Sequence, residues 1–162
     1  MNRRYLLALG GVTTVGVLAG CAGDDDGNGA DPENAGVVTV TVDEDTVDAA
    51  FDRITTTIEE NENLGLVAEL DHSANAAGVD MELPPARVVF FGNPELGTPL
   101  MQSSPRAGLD LPQRMLVWED SDEVKVTYND PEYIAARHGI DDRDEILENI
   151  ADALEALATD EM

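Results

Sequence analysis

The chain has 162 residues, of which 34 are Asp or Glu and nine are Lys or Arg, for a formal net charge of −25. No basic stripe is present to neutralise phosphates, which argues against nucleic acid as a partner. With a single cysteine there can be no intramolecular disulfide, so the fold has to stand on its hydrophobic core.

Residues 1–20 read as a targeting segment. Met1-Asn2-Arg3-Arg4-Tyr5 supplies a positive start, and residues 6–20 form an uncharged stretch broken by four glycines and two threonines. A spanning helix needs about 20 predominantly apolar residues, so this stretch is too short and too interrupted to remain in the membrane. Arg3-Arg4 ahead of Tyr-Leu-Leu has the form of a twin-arginine export signal, although paired arginines also occur in Sec leaders. Leu18-Ala19-Gly20-Cys21 then forms a lipoprotein cleavage box, with small residues for the peptidase and a thiol to carry the lipid. The mature chain is expected to begin at lipidated Cys21, with membrane lipid as its first partner and its folded part at the cell surface. Losing the leader leaves seven basic residues against 34 acidic ones, a net charge of −27.

Residues 22–36 hold no large apolar side chain and are expected to form a flexible tether with a reach of roughly 20 Å. Within them Asp24-x-Asp26-x-Asn28-Gly29 matches the first half of a calcium loop. The twelfth position is Ala35, where a bidentate glutamate belongs, so an acidic tether is the better reading.

Residues 37–162 suffice for one domain that buries about two-thirds of its unfolded surface. Val37-Val38-Thr39-Val40-Thr41-Val42 alternates as a strand does. Asp45 or Thr46 can cap a helix carrying Val47, Ala50, Phe51, Ile54 and Ile58 on one face, ending near Asn63-Leu64-Gly65. Residues 66–70 predict a second strand, and Asp71 or Ser73 a short helical turn through Ala77. Residues 87–91 predict a third strand, apolar on both sides as in a strand covered on both faces. The connection 92–112 holds four prolines; one so long is usually functional or carries its own short helix. Residues 113–119 and 123–129 predict a hairpin around Asp120-Ser121-Asp122. Pro131 starts a short helix that Gly139 ends, and Asp141 or Asp142 caps a last helix with Ile146, Leu147, Ile150, Leu154 and Leu157 inward. The pattern is α+β: an antiparallel, or mixed, sheet of about five strands in the order strand-helix-four strands-helix. Its helices pack on one face, and an extra C-terminal helix follows.

The acidity runs along the whole chain, aspartate exceeds glutamate, and eight arginines accompany one lysine. This resembles proteins from saturating salt, where a carboxylate shell stays hydrated and a Debye length of about 3 Å at 1 M screens its repulsion.

Asp71-His72, Glu82-Leu83-Pro84-Pro85, Phe91-Gly92-Asn93-Pro94, Gly97-Thr98-Pro99-Leu100-Met101, Gly108-Leu109-Asp110-Leu111-Pro112, Val117-Trp118-Glu119-Asp120 and Tyr128-Asn129-Asp130-Pro131 resemble, in that order, domain-of-unknown-function family 302. The resemblance covers nearly all of residues 37–138. It implies a compact α+β domain of the same strand-helix-four-strand-helix type and leaves room for a homodimer. It implies no reaction and no cofactor.

Several residue types could carry chemistry. His72, beside Asp71 and near Glu69, could act as a general base or metal ligand, or could merely open a helix. His138, before Gly139, could join it in a metal site, or could serve the negative end of a helix dipole. Asn93, Thr98, Gln102 and Asp110 bring polar side chains to the long connection, as a ligand pocket or as turn-makers. Trp118 could stack on a ligand, although packing against Tyr128 across the hairpin is the plainer role. No G-x-S-x-G, phosphate-binding glycine loop, H-E-x-x-H or C-x-x-C occurs. The expectation is therefore a lipid-anchored, extracytoplasmic binding or interaction domain. The alternative is an enzyme or metal-binding protein using His72 with Asp71 and His138, which requires the two histidines to meet beside a pocket.

Overall fold

A computed structural model describes residues 36–160. The leader, the Cys21 lipidation site and the incomplete calcium loop at residues 24–35 lie outside the described residues. Strands β1 (Val37–Val42), β2 (Gly65–Asp71), β3 (Ala86–Gly92), β4 (Gln113–Asp120) and β5 (Glu123–Asn129) form one sheet in the order β1-β5-β4-β3-β2. Every neighbouring pair is antiparallel, so the sheet is not mixed.

Strand β1 turns Val38, Val40 and Val42 toward the core and leaves Val37, Thr39 and Thr41 exposed, as period-2 alternation requires. Helix α1 (Val47–Glu60) begins where the Thr46 hydroxyl accepts from the Ala49 N–H at 3.2 Å. Its buried stripe is Val47, Ala50, Phe51, Ile54 and Ile58, the i, i+3, i+4 face that covers the sheet. Helix α5 (Asp144–Thr159) packs on the same core through Leu147, Ile150, Leu154 and Leu157. It starts later than the sequence suggests, because neither Asp141 nor Asp142 caps it. Arg143 occupies the cap position, and the Asp142 carboxylate accepts instead from Arg143 Nη1 at 2.5 Å and from the Ser103 hydroxyl at 3.0 Å.

The last turn of α5 contains no basic residue, so a cation comes from elsewhere. Arg53 of α1 donates to the carbonyls of Leu157 and Ala158 at 2.8 and 3.3 Å and pairs with Glu44. One guanidinium thereby satisfies carbonyls that a helix end leaves without partners, and it complements the dipole there. Arg87 of β3 ties α1 to the sheet. It lies 3.8 Å over the Phe51 ring and reaches Asp48, Asp52 and Glu69 at 3.0, 3.8 and 3.6 Å.

Between β3 and β4 the chain forms helix α3 (Pro94–Ser103) and a short 3-10 helix (Pro105–Leu109), followed by a cis Leu111–Pro112 bond. Short helix α2 (His72–Ala77) follows β2, and α4 (Pro131–His138) ends at Gly139, whose φ of +67° is the left-handed cap that glycine allows. In β3, Val89 and Phe91 face the core. On the other face Val88 is buried but Phe90 is only half-covered, so the strand is not fully enclosed.

The hairpin corrects the aromatic pairing. A two-residue turn with positive φ at Ser121 and Asp122 sets Asp120 opposite Glu123, and hence Trp118 opposite Lys125 and Met115 opposite Tyr128. Trp118 and Met115 are three residues apart, so Trp118 and Tyr128 fall on opposite faces and do not pack together. Tyr128 is buried in the core, whereas Trp118 lies on the outer face and donates its indole N–H to the Thr127 hydroxyl at 2.9 Å.

Candidate functional site

Register defines one end of the sheet. There Val37 lies opposite Asn129, Phe91 opposite Gln113, and Gly65 opposite Gly92. A cleft of about 410 Å³ opens at the β2–β3 side of this end. Its floor is Leu66, Phe91 and Gln113; its walls are Leu64, Leu96, Met101 and Leu111 with Ile150, Ala153 and Leu154 of α5. Gly65 and Gly92 carry no side chains into it. The size is within the roughly 300–1,000 Å³ of small-molecule sites.

No charged residue lines this cleft, in a chain with 34 carboxylates. Its polar lining comes from Asn93, Thr98 and Gln113. Asn93 is already engaged as the cap of α3, its Oδ1 accepting from the Glu95 N–H at 2.8 Å. Such a lining disfavours charged groups, because an unpaired charge taken from water into it would go uncompensated.

Of the polar residues singled out in the long connection, Asn93 and Thr98 line the cleft, while Gln102 is exposed on α3 and outside it. Asp110 is the one buried carboxylate among the described residues, and its oxygens are fully engaged. His138 Nε2–H donates to Oδ2 at 2.6 Å; Arg137 Nη1 and Arg114 Nη2 donate to Oδ1 at 3.1 and 3.2 Å. This cluster ties the 3-10 helix, β4 and α4 together. His138 is itself buried and spends its Nε2 on that contact.

Asp71 and His72 lie at the far end of β2 from the cleft, where Asp71 pairs with Arg87. Asp71 caps α2, its Oδ1 accepting from the Ser73 hydroxyl at 2.6 Å and the Ala74 N–H at 2.8 Å; His72 is exposed. The structure does not bring His72 to His138. Among the described residues no three His, Cys, Asp or Glu side chains gather as a metal site would need.

The Ser73 hydroxyl, and then the Ala74 N–H, hold Asp71 below the ordinary 3.8, and the Lys125 ammonium and Ser121 hydroxyl do the same for Asp120. The folded chain therefore binds these protons more weakly than the unfolded chain. Their stabilisation is complete above pH 3.8 and is lost as pH falls through that value toward the lower folded ones. Urea midpoints at about pH 5 and about pH 3 should show a larger acid loss in the native chain than in Asp71→Asn. Equal losses would refute this.

Sequence reasoning missed the apolar lining, which comes from three stretches far apart in the chain. The signal within the connection was Leu96, Met101 and Leu111, which have no reason to punctuate an exposed loop.

Fold and cleft together define an open-sheet α+β domain with a ligand-sized apolar recess at one end. The model of "Domain of unknown function DUF302" matches residues 38–157, and the chain belongs to this family. The crystal structure of uncharacterized conserved protein DUF302 from Bacillus stearothermophilus has the same fold, with a TM-score of 0.68 at 16% identity. The likeness covers 76% of this chain and 95% of that one. A 78-residue stretch is 45% identical to part of Fluoride-specific ion channel FluC 1 of Brucella suis, covering 48% of this chain and 31% of that protein. Fluoride-specific ion channel FluC 2 of Brucella melitensis matches over 78 residues at the same identity, with 29% of its length covered. The match thus spans less than a third of the length of these curated relatives. Among the described residues no helix is long and apolar enough to cross a membrane.

Proposed function

We propose that the protein is a lipid-anchored, extracytoplasmic binding domain that holds an apolar ligand in the cleft between β2, β3, α3 and α5. The observation that carries this reading is the charge-free lining on so acidic a chain. Removing apolar area from water stabilises a complex by roughly 25 cal/mol per Å², and this cleft offers little else to a ligand. The Leu18-Ala19-Gly20-Cys21 box supports the anchor. Similarity to a stretch of proteins named as ion channels supports a domain that works beside a membrane.

Mass spectrometry of the native N-terminus tests the anchor. The expected chain begins at Cys21 carrying lipid and sediments with membranes, while Cys21→Ala is released into the soluble fraction with unchanged circular dichroism. A native chain still beginning at Met1, or soluble without lipid, overturns the anchor. Diphenylhexatriene, a neutral hydrocarbon fluorophore, tests the cleft: it should bind one per chain, and Gly97→Leu, which points a larger side chain toward Leu111, should weaken it.

A further inference from the structure

We infer that the cleft's ligand is the hydrocarbon chain of a bilayer lipid, which enters through a mouth kept within the tether's reach of the membrane; this rests on the apolar-site reading above. Three observations beyond the lining's lack of charge point to it.

The first is where the chain enters the domain. Val37 begins β1 at the same end of the sheet as Gly92 and Gly65, three strands away from β3. At about 4.8 Å per strand, the entry point and the cleft are separated by roughly 14 Å across that end. A tether attached there keeps the cleft end of the sheet within roughly 20 Å of whatever holds the tether.

The second is that the entry point is fixed. The Gly36 carbonyl accepts from the Asp130 N–H at 3.1 Å, and a Cβ on Gly36 would fall 2.2 Å from the Tyr133 ring. Gly36 has a φ of +81°, so the close approach of the ring and the backbone turn both require glycine. Gly36 is therefore pinned against α4 at the cleft end of the sheet.

The third is the rim. Val67 stands out of the β2 bulge at 62% exposure and Met101 is 42% exposed, both on the lining; Leu109, next to the lining residue Gly108, is 73% exposed. Exposed apolar side chains around an apolar mouth suit the boundary between headgroups and acyl chains, where such groups leave water. Glu95, exposed at the start of α3, would repel anionic headgroups in dilute buffer. A Debye length of about 3 Å at 1 M salt removes that obstacle.

The occupant is a bilayer lipid and not the chain's own Cys21 lipid, because the latter must stay in the membrane to serve as the anchor. The test uses the full anchored chain in phosphatidylcholine vesicles at molar salt. A small fraction of the lipid carries a photoactivatable diazirine at the end of one acyl chain. Peptide mass spectrometry should place the adduct on lining residues such as Met101 and Val67. Val67→Glu and Met101→Glu alter only exposed positions and should keep the circular dichroism, yet each should cut cleft labelling about tenfold by placing a charge at the mouth.

Labelling confined to the outer sheet face around Leu116 and Trp118, or unchanged by the rim substitutions, overturns the inference. So does diphenylhexatriene binding that appears only in Cys21→Ala, since the chain's own lipid would then fill the site. If the fluorophore binds the anchored chain but no bilayer lipid labels the cleft, the apolar site stands and the bilayer source fails. If neither binds, both readings fail together.

Discussion

Replacing Asp110 with alanine is expected to lower the stability of the folded domain by about 3 kcal/mol, the scale of a buried charged hydrogen-bond acceptor withdrawn from its donors. The loss concentrates at His138, which is buried and has its Nε2 on Asp110 at 2.6 Å. Arg114 and Arg137 are partly exposed and regain water when the carboxylate goes, so their share is small. Asp110→Asn keeps the volume and separates the charge from the packing; it should fall between the native chain and Asp110→Ala. Urea denaturation in molar salt is the measurement. A shift under about 1 kcal/mol would mean that the cluster is a surface ion pair in all but position.

The second large effect is that of salt. At molar salt the domain should unfold in one cooperative thermal transition, and at millimolar salt that transition should disappear. Nearly all carboxylates lie outside: among the described residues only Asp110 is buried. The scarce cations do not offset them as a surface layer. Six of the seven in the described region (all but Arg106) sit in ion pairs, and all of these but Arg143–Asp142 join separate segments of the fold. The remaining negative charge repels itself over a Debye length of roughly 30 Å at 0.01 M, comparable to the whole domain, but only about 3 Å at 1 M. Circular dichroism and thermal melts across that range decide the matter. A melt unchanged at low salt would show that the acidic surface is not a salt requirement.

Local chemistry made most of the elements legible. The stripe of Val47, Ala50, Phe51, Ile54 and Ile58 gave α1, and the β1 alternation gave the inward valines. Pro131 and Gly139 bounded α4. The lesson of α3 is different. Asn93-Pro94 is a good helix start, but Gly97 and Pro99 lie inside the helix and disguise it, each being a poor helix former. What stabilises it is tertiary contact, with Leu100 fully buried. Strand order was out of reach because β1 pairs with β5, far along the chain, and no local signal encodes that partner. The cleft shared the same fate: Phe91, Leu111 and Ile150 each read as ordinary core, and only the folded chain brings them together around a recess. Of the side chains singled out in the sequence, Asp110 and Trp118 make their contacts within the scaffold and lie outside the cleft lining.

The single Trp118 has a practical use. Its indole is half-covered on the outer face and bonded to Thr127, which in turn meets the Thr39 hydroxyl at 2.9 Å, so one fluorophore spans β4, β5 and β1. Its emission should redden when those strands part and stay constant as the recess at the sheet's end fills. Unfolding and occupancy can thus be followed in the same cuvette with no added label on the protein.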